Sequence, residues 1–388
     1  MRAFRVQLPD GAAYWTVLDD QLAVVAEADE YLRQVRFGQN GAELTTKSYS
    51  GAIALYLVWC LRTGRGWRTA AAFMGLFMTW LKHVPRDVAM QGGGEVLAGP
   101  GQKPVRGEIR INVVLTGVRG FLLHGVGTGA VATSVVPTLY DVADERDLPA
   151  EARLEDGTMF HRLKARHRMK VPKRRVDRAS DEEIVAMLRV CRSARDRLIV
   201  LLMARVGLRR SEVVGLRRED IHFLVDSALL GCLIPRSHLH VVRRQNVNGA
   251  WAKSIHSKWV PVDFLVVRAY DQYVFERATV PGAQDSDFAL VNLFREPIGA
   301  PMPPGAINDL ITRLETRAGL TRHVKPHMCR HAFGSNAADA GATTDELQEL
   351  LRHEDPSSSA VYLHPSEARL REAVERVPSP RNIEEIVR

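Results

Sequence analysis

Hydrophobic and polar positions change their period several times along the chain. Over residues 2–18 they alternate weakly around Pro9-Asp10-Gly11, which predicts a short hairpin within an N-terminal extension, residues 1–40. Over 45–61 and 67–84 apolar residues recur with helical spacing, and Thr63-Gly64-Arg65-Gly66 separates the two runs. Residues 91–107 are rich in Gly and Pro and read as a loop, and 108–123 read as a third helix. The segment 41–161 is therefore expected to be a helical domain.

The pattern then becomes mixed. Ser180-Asp181-Glu182-Glu183 is a capping box that opens a helix, so a domain boundary is placed just before it and a second domain over 179–377, with a tail at 378–388. Helices are predicted over 184–192 and 196–206, and strands over 229–236, 238–246 and 257–262, with Asn248-Gly249 as a turn signal. Helices dominate again from 306 onward. The expected fold class is mainly α with a small antiparallel β-sheet in the second domain.

Charge sharpens this picture where it is concentrated. The chain has 388 residues, enough for two domains, and a formal net charge of +8. Such an excess favours a polyanionic partner, and also simply aids solubility, so its location matters more than its total. Residues 162–178 hold nine Lys/Arg against one acid, Asp177. Arg162, Lys164, Arg166, Arg168 and Lys170 fall at alternate positions, and Lys173, Arg174 and Arg175 follow. In an extended chain alternate side chains share a face, giving a strip of charge suited to a phosphate backbone. From these residues alone a solvated connecting segment between the domains fits equally well.

Composition excludes some classes. Cys60, Cys191, Cys232 and Cys329 are far apart, with no C-x-x-C pair and no histidine at zinc-ligand spacing. That argues against a disulfide framework and a structural metal, and fits a reducing cytoplasm. The opening residues carry no signal-peptide core. The longest apolar runs, near 52–61 and 70–81, are about 10–12 residues, the length of buried helices, so no membrane partner is expected.

Four polar segments carry candidate chemistry. They are Gly207-Leu-Arg-Arg-Ser-Glu212, Lys253-Ser-Ile-His-Ser-Lys-Trp-Val-Pro261, Pro326-His-Met-Cys-Arg330-His-Ala-Phe, and the stretch from Arg352 to Pro365 that holds Tyr362. Pro326 suits a helix first turn, so His327 and Arg330 share one helix face, and Gly341 is placed to end that helix. Thr343-Thr-Asp-Glu346 is a second capping box, opening a helix whose Leu347, Leu350 and Leu351 point inward and whose end presents His353. Taken singly, Arg209 with Arg210, Arg217 and Arg218 would read as a solvated basic face, and His327 as a core histidine. Tyr270 and Tyr273, near Val266 and Val267, read as packing residues.

Together the segments resemble the tyrosine recombinase (lambda-integrase-like) family over roughly 180–376, and more loosely the helical domain before it. The GLRxSE box places the first arginine at Arg209, with Arg210 beside it and the register favouring Arg209. Lys253 precedes Pro261 by eight residues, as the family's hairpin lysine precedes its proline, and Lys258 stands where an arginine is common. His327 and Arg330 form the H-x-x-R box. His353 precedes Tyr362 by nine residues, and His364 completes a Y-x-H ending. The sequence departs at Leu351-Arg352-His353, where the family reads LGH, and in a longer 243–257 segment. Residues around 6–18 and 243–254 also resemble the integrase-type transposases of resistance transposons; an integrase of a phage or genomic island is equally compatible.

The resemblance implies a two-domain clamp, a helical (SAM-like) core-binding domain and an α+β catalytic domain, that breaks and rejoins double-stranded DNA. Tyr362 would be the nucleophile and form a 3′-phosphotyrosine. Arg209 and Arg330 would stabilise charge on the phosphate oxygens, and His353 would add a donor. His327 would take or hold the phenol proton, Lys253 would protonate the departing 5′-oxygen, and Glu212 would orient its neighbours. No cofactor, metal or ATP is expected. The implied partners are recombination sites in DNA, three further copies in a homo-tetramer on two duplexes, and accessory recombination proteins. A helix expected over 366–377 would pack in cis or dock on a neighbouring protomer. Tyr362 would sit among polar residues because its hydroxyl must reach a phosphate rather than fill a core.

Overall fold

The computed structural model describes residues 1–84, 104–142, 163–171, 176–252, 256–354, 357–362, 371 and 374–375. Most of the predicted 91–107 loop, Arg162, Lys173, Arg174, Arg175, Lys253, His364, most of 366–377 and the 378–388 tail lie outside the described residues. The chain divides into two units, Met1–Lys173 and Arg174–Arg388. Its described elements are mostly helical, with small antiparallel sheets.

In the first unit β1 (Arg2–Gln7) and β2 (Ala13–Leu18) form the hairpin, joined by a turn in which Gly11 takes φ +83°. The extension is no appendage. Tyr14 and Val17 on β2, and Tyr31 and Leu32 on α1 (Ala26–Arg33), enter the same core as α2 (Glu43–Arg62). The predicted 67–84 helix begins later: a 3-10 turn at Ala70–Phe73 precedes α3 (Met74–His83). Both α2 and α4 (Glu108–Gly127) are apolar over most of their girth, and they pack on one another as central helices do. By length and composition α4 alone among the described helices could cross a membrane, but Ile111, Val114, Leu115, Val118, Phe121 and Leu122 lie in this core.

The basic strip belongs to this unit as far as it is described. β3 (Tyr140–Val142) pairs with β4 (Leu163–Ala165), and Asn112 bonds the backbone of Met169 in both directions, at 2.8 and 3.0 Å. Lys164, Arg166, Arg168 and Lys170 are exposed, while Ala165, His167 and Met169 face inward. The segment expected as a connector is thus an extended edge with alternating faces.

In the second unit Ser180 caps α5 (Asp181–Arg189) through the expected capping box. α6 (Ala194–Ala204) has a charged first turn and then buries Leu198, Ile199, Val200, Leu202 and Met203, so beyond that turn it is apolar nearly all round and sits at the centre. It packs against α8 (Phe264–Ala278) and α10 (Pro326–Asp339). α7 (Arg210–Gly215), α9 (Pro304–Ala318) and α11 (Thr344–Leu351) complete the described helices, with a helical turn at Ser357–Ala360.

The sheet is smaller than predicted. Its order is β5 (Ile221–His222), β6 (His238–Val241), β7 (Lys258–Pro261), all antiparallel. No strand forms over 229–236: a 3-10 turn at Ala228–Leu230 ends on left-handed Gly231, and Pro235 has no N–H for a ladder. β6 stops at Val241 because the following residues are held by side chains instead. Arg244 grips Asp220 at 2.7 Å, and Asn248 bonds the carbonyls of Val214 and Met302. No histidine stands at zinc-ligand spacing from a cysteine along the chain, but the fold brings the Cys232 sulfur to 3.4 Å from His238 Nε2.

Candidate functional site

Gly207 ends the approach to α7 with φ +66°, a conformation that favours glycine, and a Cβ there would lie 2.4 Å from the Phe333 ring on α10. The sharp turn puts Arg209 at the start of α7 and Glu212 one turn on. Arg209 donates to Glu212 from its backbone at 2.8 Å and from its guanidinium at 2.6 Å. Arg330, on α10 and 1% exposed, donates to the carbonyls of Gly207 and Leu351. A third guanidinium joins them. Arg352, also 1% exposed, donates to Gly207 O and to Glu212 Oε2, each at 2.9 Å.

Three guanidiniums therefore surround one carboxylate that has no exposed side-chain surface. Desolvation alone would raise the Glu212 carboxyl; Arg352, Arg209 and Arg330 outweigh it and hold it at about 2. Burial, reinforced by Arg352 and Arg209, pushes the Arg330 guanidinium down to about 9. Nε of Arg330 and Nε of Arg352 are buried without a hydrogen-bond partner. Such a cluster has spare positive charge and spare donors, which an anion can satisfy.

Tyr362 lies at the edge of this cluster, and its ring sits in an apolar seat. It is 6% exposed and packs with Ala338, Leu347 and Leu351, and its ring passes so close to Gly334 that a Cβ there would sit 2.8 Å away. This corrects the expectation that the tyrosine stands clear of a core: the local sequence is polar, but α10 and α11 supply the apolar contacts. Burial raises the phenol pKa, opposed by Arg330 and Arg209. Its hydroxyl bonds His331 Nδ1 at 2.7 Å, and the His353 ring lies parallel to its own at 6.2 Å.

The partner of the phenol is thus His331 rather than His327. His327, exposed on the first turn of α10, meets His331 edge-on with ring centroids 4.1 Å apart. The signal was available in the spacing, because residues four apart share a helix face. Arg352 was legible too, as a non-glycine residue in the position after a helix where the left-handed conformation is usual; its φ is +53°. Desolvation first, then neighbouring cations, hold His331 and His353 each at about 4, so both imidazoles are neutral at pH 7. His353 Nδ1 lies 2.8 Å from Ser359 Oγ.

A cleft of about 650 Å³ opens beside these groups, lined by Arg209, Ser211, Trp251, Lys325 and His327 among others. The Lys258 ammonium pairs with Glu349 at 2.9 Å.

The sequence model of the Phage integrase family matches residues 175–369, just over half of the chain, and the chain belongs to that family. It is similar to the tyrosine recombinase XerC of Bacillus pumilus, 29% identical over 177 residues that cover 46% of this chain and 52% of that one. The chain therefore spans about half the length of the XerC relatives it matches. It is also similar to transposase A from transposon Tn554 of Staphylococcus aureus, 24% identical over 298 residues, 75% of this chain and 74% of that one. In fold it is similar to the integrase of transposon Tn1549 solved with a circular intermediate DNA, with TM-score 0.53, 15% identity, and coverage of 90% of this chain and 98% of that one.

Proposed function

We propose that this protein is a site-specific DNA recombinase that cuts and rejoins strands through Tyr362. The observation that carries the reading is a phenol hydrogen-bonded to a neutral imidazole at the edge of a cluster with more guanidiniums than carboxylates. A phosphodiester in that cluster would meet donors already in place, which is how electrostatic catalysis avoids reorganisation.

The phenol oxygen attacks the scissile phosphorus in line, and the bond to the 5′-oxygen breaks. The phenol proton passes to His331, with His327 next to it as a relay. Arg209, Arg330 and His353 stabilise charge on the non-bridging oxygens, Glu212 orients the guanidiniums, and Lys253 protonates the departing oxygen. The phosphotyrosine keeps the energy of the broken bond, so a free 5′-hydroxyl on another strand can reverse the step without ATP. Double-stranded DNA is the substrate, contacted through Lys164, Arg166, Arg168, Lys170 and the neighbouring Arg162, Lys173, Arg174 and Arg175; a homo-tetramer joins two duplexes. The likeness to Tn554 transposase A over three quarters of both chains favours transposition among the possible outcomes.

The test is a nicked suicide duplex carrying a cleavage site. The full chain should become covalently attached, and Tyr362→Phe should bind without attaching. Recombinant products from two sites support a recombinase. Relaxation of supercoils without such products points to a topoisomerase, and binding with no adduct in any condition rejects the reading.

A further inference from the structure

Three histidines and a cysteine converge on one face of the small sheet, and none of the four has a role in the reaction proposed above. The register sets three of them. His222 on β5 lies directly opposite His238 on β6, and His240 is two residues further, hence on the same face. Cys232 arrives from the 223–237 connection. One ligand atom from each of the four lies within 4.8 Å of all the others.

The spacings fit a particular ion. His238 Nε2 to His240 Nε2 is 3.2 Å, and the Cys232 sulfur is 3.4 and 3.6 Å from those two nitrogens. Tetrahedral zinc, with its usual bond lengths, separates two ligand nitrogens by about 3.3 Å and a nitrogen from a sulfur by about 3.6 Å.

The outer hydrogen bonds agree. His238 Nδ1 lies 2.7 Å from the Arg236 carbonyl, which can only accept, so Nδ1 carries the proton and Nε2 keeps its lone pair. Arg236 itself takes φ +64° on the approach to β6. At His222 the arrangement is reversed: Nε2 lies 3.1 Å from the Glu219 carbonyl, and Nδ1 is buried without a partner. Backbone carbonyls thus set the tautomers of His238 and His222 and leave one ring nitrogen of each free for the cluster, the usual support of a metal-bound histidine.

We propose that His222, Cys232, His238 and His240 form a tetrahedral site for a zinc-class divalent cation. Three imidazoles and a thiolate make a borderline-soft donor set, and four protein ligands leave no position for water, as in a structural site. Its role is to pin the 223–237 connection to the sheet. That connection holds itself poorly: Val225, Leu229 and Leu233 are 88, 92 and 95% exposed. A metal replaces the missing core with folding energy of its own. The reaction proposed above does not run through this ion.

The test uses the full chain, freed of metal and titrated with zinc or with cobalt(II) as a spectroscopic substitute. One zinc per chain is expected. Cobalt should give the strong visible bands of four-coordinate geometry, with a near-ultraviolet thiolate charge-transfer band that disappears in Cys232→Ser. Losing a ligand should weaken zinc binding by about tenfold or more, whereas Cys191→Ala, a cysteine elsewhere in the core, should change neither reading. Zinc should also slow proteolysis within 223–237. Overturning results are substoichiometric zinc at saturation, a pale octahedral cobalt spectrum, or a spectrum unaltered in Cys232→Ser. The wild-type spectrum decides the matter even if a variant fails to fold, and none of these readings depends on DNA cleavage.

Discussion

Arg352 donates to the Glu212 carboxylate at 2.9 Å from a backbone held at φ +53°, across 140 residues of sequence. Strain in a non-glycine residue is kept where something compensates for it, and here the compensation is a buried ion pair.

This pair is asymmetric. Glu212→Gln would leave three guanidiniums without their carboxylate, and removing one partner of a buried pair costs about 3–5 kcal/mol. Arg352→Gly relieves roughly 1 kcal/mol of backbone cost and leaves Glu212 with Arg209 at 2.6 Å. We expect Arg352→Gly to cost less than half as much as Glu212→Gln in urea unfolding. Equal costs would mean that Arg352, not Glu212, is the centre of the cluster.

Gly334 tests the seat of the tyrosine. Alanine there gains about 1 kcal/mol of helix propensity, but its Cβ would meet the Tyr362 ring at 2.8 Å. Stability should hold while covalent adduct formation falls on the order of 10²-fold, the effect of a misplacement of about 1 Å. DNA affinity should stay unchanged. An undiminished adduct yield would show that the ring's position against α10 is irrelevant to cleavage.

The histidines predict a pH dependence. His331, facing His327, Arg330, Asp177 and Tyr362, is held at about 4 by desolvation first, then by His327 and Arg330. His353 is held at about 4 by desolvation, then by Arg330, Arg209 and Arg352. An unfolded histidine titrates near 6.5, so between about 6.5 and 4 the unfolded chain binds more protons. Their contribution is complete above 6.5 and is lost as pH falls toward 4. Both rings are partly exposed, so solvent screens the effect and only its direction is predicted. Urea midpoints should decline over this window, less steeply in His331→Gln. The same variant should slow adduct formation on the order of 10²-fold, the contribution of a positioned base, and more than His327→Gln does.

The exposed strip predicts a salt dependence. Lys164→Ala and Arg168→Ala should each reduce the slope of log affinity against log salt by about one, whatever the duplex sequence. A slope unaltered when Lys164, Arg166, Arg168 and Lys170 are all replaced would remove the strip from the proposed DNA interface.

Much of the candidate site was readable because its groups sit on short segments with local punctuation. Gly207 before Arg209, Pro326 before His327 and Arg330, and the Thr343 capping box before His353 each set a local geometry within a few residues. His331 was within reach of the same reasoning, one helical turn beyond His327. The strand expected over 229–236 failed for the complementary reason. An apolar run with Gly231 and Pro235 has no preference strong enough to make a strand without a neighbour to pair with.

By itself the sequence determined the order and spacing of the candidate site residues, the alternation of charge along 164–170, and most helices, because these depend on neighbours along the chain. Only the tertiary structure decided that Tyr362 would be buried against Gly334, that Glu212 would gather three arginines, and that Cys232 would meet three histidines. Those arrangements join residues brought together by core packing and strand register, and no local preference encodes a distance between segments that meet only when the chain has folded.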